Sequence, residues 1–379
     1  MAEKTMEIID EGIVFRGEKG TDHASCAFPG IAVIPDGRWV CGFRAAPTKK
    51  GTAGQHPLIA ISDDEGKTWP IVLSPFVPPR VDGKPGLFRA AYPTALGARE
   101  VLAALCWVDH SDPALPFFNE QTEGLLDTRI FLSLSEDGGL TWSAPQLIDT
   151  SPYRVPTPLT GPVLILPNGE WVLQFELNKP YDDLQPWRHA SVLMFSSNQG
   201  KSWPHHVVVS QDPTNRIFYW DQRPAVVDNG TLFDLFWTYD RATADYLNIH
   251  ARKSTSGGRL WSEFWDTGVS GQPAQPISLH DGRMIMVYVD RTASPAIKLR
   301  VSTDAGKTWP SNTEMTLYQP ELVGQSGKKS SLQEAWSEME KFSLGLPATA
   351  RLPNDDILIV FYAGPEPDLT DIRWLRLKS

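Results

Sequence analysis

Three aspartate–arginine pairs recur at corresponding places along this chain: Asp221 with Arg223, Asp240 with Arg241, and Asp290 with Arg291. Arg44, His56, Arg89, Trp107, Asp109, Glu176, Trp220, Tyr239 and Gln272 stand at equivalent points of the remaining repeats. Carboxylates, guanidinium forks and aromatic faces form the mixture that sugar recognition uses. Aromatic faces cover the apolar side of a ring, and forks take hydroxyls or a carboxylate. Two carboxyl groups on neighbouring repeats add chemistry, because one protonates a leaving oxygen while the other is the nucleophile or activates water. Glu176 with Asp221, or with Asp240 as substitute, offers that pair. Arg44, Arg89, Arg223 and Arg291 would orient a ligand, and Trp220 and Trp107 would stack on it. Each residue also has an ordinary structural role open to it, since charges pair with one another at repeat junctions.

Two other chemistries stay open. β-Elimination from a uronate needs a cation at the carboxylate and a base for the adjacent proton. Arg44, Arg89, Arg223 or Arg291 could supply the first, and His56, His110 or Tyr239 the second. A non-catalytic carbohydrate binder could use the same charges without turning anything over.

What positions such a set is a repeat. Five segments share one pattern: Ser62-Asp-Asp64-Glu-Gly66-Lys-Thr68-Trp69, Ser135-Glu-Asp137-Gly-Gly139-Leu-Thr141-Trp142, Ser196-Ser-Asn198-Gln-Gly200-Lys-Ser202-Trp203, Ser254-Thr-Ser256-Gly-Gly258-Arg-Leu260-Trp261 and Ser302-Thr-Asp304-Ala-Gly306-Lys-Thr308-Trp309. Short oxygen-bearing side chains bond back to turn amides, Gly supplies a positive φ, and the Trp is buried. This is the Asp-box, a structural staple between two strands. Before each box, apolar alternation runs into a tight turn and out again: Ile31 to Phe43 around Asp36-Gly37, Val163 to Phe175 around Asn168-Gly169, Val226 to Trp237 around Asn229-Gly230, and Ile277 to Val289 around Asp281-Gly282. Each reads as a hairpin with a primed turn. Gly97-Ala-Arg99 and Asn354-Asp-Asp356 substitute for the turn elsewhere. Hairpin plus Asp-box hairpin makes four strands, five times over, and a sixth unit from about Phe342 lacks a proper box. The expected fold is all-β: a six-bladed β-propeller with four-stranded blades and five Asp-box turns, residues 1–379 forming one domain. Gly12-Ile-Val-Phe15 is expected to pair with the last blade and close the ring. In Ser331 to Lys341, Leu332, Ala335, Trp336 and Met339 share one helical face, which either caps the channel or merely connects blades.

First strands of propeller blades line the central channel, and ligands gather at its mouth. Aligning blades on their turns sets Ala27, Arg89, Thr160, Trp220 with Asp221, Gln272 and Gly345 at the starts of first strands. Arg44, Trp107 with Asp109 and His110, Glu176 with Asn178, Tyr239 to Arg241, Asp290 with Arg291, and Tyr362 end the second strands.

Through its Asp-boxes nearly the whole chain resembles the sialidase superfamily. The family's Arg-Ile-Pro, whose Arg grips the substrate carboxylate, reads Ala27-Phe-Pro29 here. Its acid/base Asp falls near Gln55 and His56, and its nucleophilic Tyr falls at Leu346. The Glu that assists that Tyr corresponds to Asp221. Ordinary sialidase activity is therefore not expected. The exo-arabinanase branch, similar in fold but working with two carboxylates, is the better analogue. It implies an exo-acting glycosidase for an acidic or unusual oligosaccharide.

Bulk properties narrow the field. A net charge of −10 argues against nucleic acid as partner, and no apolar run approaches the ~18 residues of a membrane span. Three cysteines, without ligand spacing, favour reduced thiols and a cytoplasmic protein. There is no phosphate loop, dinucleotide fingerprint or His/Cys ligand set, so neither cofactor nor metal is expected. Oligomeric state is left open.

Overall fold

The computed structural model describes residues 6–227, 230–292, 294–320 and 326–379. At the first Asp-box, Ser62 Oγ accepts from the Gly66 amide at 2.9 Å, and the Asp64 carboxylate accepts from the Thr68 amide and hydroxyl at 2.9 and 2.7 Å. The Trp69 indole donates to the Gly66 carbonyl at 3.1 Å. The Ser-to-Gly bond recurs at Gly139, Gly200, Gly258 and Gly306. In the fourth motif Ser256 replaces the acid and accepts from the Leu260 amide at 2.8 Å. Each turn joins the third and fourth strands of a sheet, as between His56–Ser62 and Ile71–Leu73.

The other hairpins differ from expectation. Type I′ turns need positive φ at two successive residues, but in Ile34-Pro-Asp-Gly37 only Gly37 is positive, at 95°. Gly37 N donates to Ile34 O, and Ile34 N to Arg38 O. This is a type I turn followed by a left-handed residue, favoured because Pro35 fixes a negative φ. The Leu166 and Leu352 turns repeat it, with Asp355 at φ 71° where the others carry Gly. Asn229 lies outside the described residues.

The chain folds as a β-propeller. One sheet runs Gly86–Ala95, Val101–Asp109, Thr128–Ser135, Gln146–Leu147, and the next Leu164–Ile165, Trp171–Leu177, Ala190–Ser196, His205–Ser210. Second strands such as Trp39–Ala46 are buried on both faces, since each sheet packs between neighbours. An eight-stranded sheet holds two antiparallel halves, the last strands of the chain and the first, joined where Ser25 pairs in parallel with Thr370. The strand Glu7–Phe15 lies antiparallel on Leu369–Lys378, from Glu7 opposite Lys378 to Phe15 opposite Ile372. The expected closure is thus present.

Pro29, Pro93, Pro162, Pro224, Pro276 and Pro347 line one shared cavity along the channel axis. Proline is tolerated on an innermost edge, where no neighbour asks for its missing N–H. Bulges interrupt three inner strands near these prolines, between Ala27 and Gly30, Phe88 and Ala90, and Gly345 and Ala348. Helix α1 (Leu332–Met339) is capped by Ser331, whose side chain accepts from the Glu334 amide at 3.2 Å. Its Leu332 and Ala335 are buried against Trp220, Tyr239 and Phe342, with Trp336 and Met339 packed alongside. All three cysteines are buried thiols.

Candidate active site

At the channel's other end a cavity of about 210 Å³ is lined by residues from every part of the ring. Bulged backbone aims several of them inward. Phe28, Asp221 and Leu346 have φ of 54°, 49° and 46°, a strained region that clusters at functional sites. Alignment of the blades on their turns predicted Ala27 and Gly345 at these points; with the bulges it is Phe28 and Leu346 that line the pocket instead. Trp336, Met339 and Glu340 form part of the wall, so the helical segment is a cap.

Glu176 and Asp221 meet here. One Glu176 oxygen accepts from the Asp221 backbone amide, and the other lies 3.3 Å from Nε2 of the buried His189. The Asp221 carboxylate accepts from the Gln272 amide and lies 3.6 Å from Arg223. Gln272 in turn accepts from Arg291 at 2.7 Å, and Arg291 donates to the Leu344 carbonyl at 3.2 Å. Since an amide nitrogen lies within about 4 Å of its own residue's carboxyl carbon, the two carboxyl groups are near neighbours in one pocket. Of the residues singled out or set at the channel mouth from sequence, Arg89, Thr160, Glu176, Asn178, Asp221, Arg223, Gln272, Arg291 and Tyr362 line this pocket.

The rest do not, for physical reasons. Trp107 is wholly buried between sheets, its indole donating to the Pro79 carbonyl at 3.0 Å. Trp220 stacks on Tyr239 with centroids 4.8 Å apart and is buried beneath α1. Burial pushes the Tyr239 phenol up to about 12. Asp240 is locked to Arg216 at 3.0 Å, a pairing that holds it below the ordinary carboxylate range and leaves no proton to donate near neutrality. Arg241 binds Glu123 at 2.9 Å. Asp109 pairs with Lys84 at 2.8 Å and Asp290 with Lys298 at 2.9 Å. Burial opposes ionisation of Asp290, but bonds from Thr292 and Lys298 prevail and lower its pKa. His56 bonds the Gly54 carbonyl, and His110 lies against Thr52. The three bases considered for elimination therefore stand outside the pocket. Arg44, 1% exposed, lies behind the wall, donating to Gln55 at 2.9 Å and to the carbonyls of Thr48 and Lys49. Burial, with Arg89 nearby, brings it down to about 9.

Sequence reasoning missed Lys49, Tyr92, Phe117 and Glu340. Lys49 and Phe117 sit in irregular segments with no periodicity to align, so no signal placed them. Tyr92 follows the Phe88 bulge, which resets the alternation.

Residues 115–333 match the BNR repeat-like domain family, and the chain belongs to it. No curated protein matches by sequence. A Dyadobacter fermentans protein of unknown function is 17% identical, over 99% of this chain and 100% of that one, with a TM-score of 0.73. The Hadza microbial sialidase Hz136 is 15% identical over 97% and 68%, TM-score 0.67. Penicillium chrysogenum α-L-arabinanase, solved with arabinobiose, is 15% identical over 98% of both chains, TM-score 0.64. The shared fold is the sialidase-like propeller.

Proposed function

We propose that this protein is a single-domain, six-bladed propeller, the eight-stranded sheet counting as two blades, and an exo-acting glycoside hydrolase that removes an acidic or unusual terminal sugar. The observation that carries the reading is the contact between Glu176 and Asp221 in a small, capped pocket walled by Arg89, Arg223 and Arg291. Ligand pockets commonly span roughly 300–1,000 Å³; one this small suits a single ring at a chain end. Similarity in fold to a sialidase and an arabinanase agrees with glycosidase chemistry. Asp221, braced by Arg223 and Gln272, is the charged partner, acting as nucleophile or base. Glu176, backed by His189, delivers the proton to the leaving oxygen. Leu346 holds the place of the sialidase tyrosine, so the carboxylate takes its part.

The test is product mass after incubation with sialosides, arabinan oligosaccharides and uronate-containing oligosaccharides. Products heavier by one water are expected, with turnover reduced roughly 10²–10⁴-fold in Glu176→Gln and in Asp221→Asn. Unsaturated products absorbing in the ultraviolet would replace hydrolysis by elimination and discard the carboxylate pair.

A further inference from the structure

One side of the pocket carries cations, Lys49 and Arg89, whose side chains make no ion pair with any described residue. Among the described residues, Lys49, Arg89 and Arg44 each lack a carboxylate within ion-pair distance, whereas Arg223 lies 3.6 Å from Asp221 and Arg241 2.9 Å from Glu123. The Lys49 ammonium makes no hydrogen bond; it sits 4.0 Å from the centroid of the Tyr362 ring and 5.6 Å from that of Phe28. Arg89 lies 4.3 Å from Phe117 and 5.0 Å from Phe28, with only a 3.2 Å bond to the Gln55 side chain. Gln55 also holds Arg44, one of whose terminal nitrogens is buried without a partner. Aromatic faces attract cations weakly and do not cancel their charge. A cluster of this kind, half-buried and unpaired, is unfavourable in the empty protein and is retained only where something else supplies the counter-charge.

Taking the pocket as a sugar site, we propose that the Lys49–Arg89 wall receives an anionic group borne by the enclosed sugar, and that neutral sugars are excluded from it. The strained backbone of Phe28 serves this wall by placing one ring between both cations. Phe117 and Phe28 fix the guanidinium plane, leaving its edge for the ligand. Arg44 acts behind them as a positioning residue, through Gln55 and through the carbonyls that shape the Lys49 loop. Burial, then the charges of Arg44, Arg291 and Arg89, keeps the Lys49 amine well below its ordinary range, so it holds its proton less firmly until an anion supplies counter-charge. Nearby Tyr362 and Tyr92 are pushed upward by burial and so supply no negative charge; of the carboxylates that act on these groups, Asp368 accepts from the Lys49 backbone amide at 2.6 Å, and Glu340 and Asp221 line the same pocket.

The experiment is calorimetric titration of the full chain with glucuronate, N-acetylneuraminate, glucose 6-sulfate and glucose, beside thermal melts. At least one acid should bind, and glucose should bind roughly tenfold to a hundredfold more weakly. Preference for either carboxylate over the sulfate ester, or the reverse, identifies which anion the wall fits. Lys49→Met should abolish the preference for acid while raising the melting temperature of the empty protein, because it removes an unpaired cation and keeps the stem. Arg89→Gln is the second variant, with the same loss of preference. Equal binding of acid and glucose, no binding by any acid, or a lowered melting temperature in Lys49→Met would each overturn the proposal. Acid binding without turnover of any oligosaccharide would sink the hydrolase reading alone, whereas turnover of a neutral oligosaccharide unaltered by Lys49→Met would sink this one alone.

Discussion

Glu176 holds the amide of Asp221 while Asp221 turns its own carboxylate toward Arg223 and Gln272, so each acid fixes the other's place before any ligand arrives. Lys49 is the contrasting case, a charge kept against its environment. Its folded pKa lies below that of the unfolded chain, near 10.4, so between those values the unfolded state binds a proton that the folded state does not. Its destabilising contribution is full below the depressed pKa and fades as pH rises toward that of free lysine. Without ligand, the stability gap between wild type and Lys49→Met should therefore be widest toward neutral and acid pH and close in alkali. Melts across pH check this, and a gap that widened upward would contradict it. Lys49 was illegible in sequence because its place depends on a loop folding over Arg44. Glu176 and Arg291 were legible because they end regular strands.

At the scale of elements, the Asp-box turns and the channel cap behave differently. An Asp-box joins the outer two strands of a sheet, remote from the pocket. Asp137→Ala should lower the melting temperature by a few degrees and leave intrinsic turnover intact, since it removes the bonds to the Thr141 amide and hydroxyl. Desolvation is the largest single influence and opposes its ionisation, but the bonds from Thr141, Ser135 and the Leu140 amide together outweigh it and bring Asp137 to about 2. The difference from wild type should accordingly vanish as pH falls from 3.8 toward 2. Loss of turnover in a folded Asp137→Ala protein would refute the purely structural role. Helix α1 instead borders the pocket, its Trp336 stacked on Phe118 at 4.4 Å and its Glu340 paired with Lys50 at 3.2 Å. Trp336→Ala should enlarge the cavity and raise KM for a single-ring ligand while kcat changes less, measurable by steady-state kinetics. The repeat was legible from Asx, Gly and apolar spacing, and the apolar face of Ser331 to Lys341 was legible too, but whether that segment caps the channel or only connects blades was not. The bulges were not, because one extra residue in an inner strand leaves the apolar pattern on either side looking regular.

For the whole molecule, closure of the ring is the feature on which the rest depends. Gly12 faces Trp374 so closely that a Cβ there would come within 2.7 Å of the indole nitrogen. Gly12→Val should wedge the seam between the first and last strands, costing about 1–3 kcal/mol, seen as an earlier and less cooperative calorimetric transition. An unchanged melt would mean the seam bears little of the stability. The closing strand and the family's propeller fold were readable from the chain; the unpaired cations were not, because charge in a sequence carries no record of what surrounds it. The channel through the ring is also divided. Phe28, Tyr92, Thr160, Arg223 and Leu346 border both the capped pocket and the proline-lined cavity beneath it, forming a floor. With these side chains standing between the two cavities, a sugar detached in the capped pocket under the proposed hydrolase reading would occupy the place the next arrival needs. Progress curves should slow well before substrate is exhausted, and added free sugar should inhibit competitively.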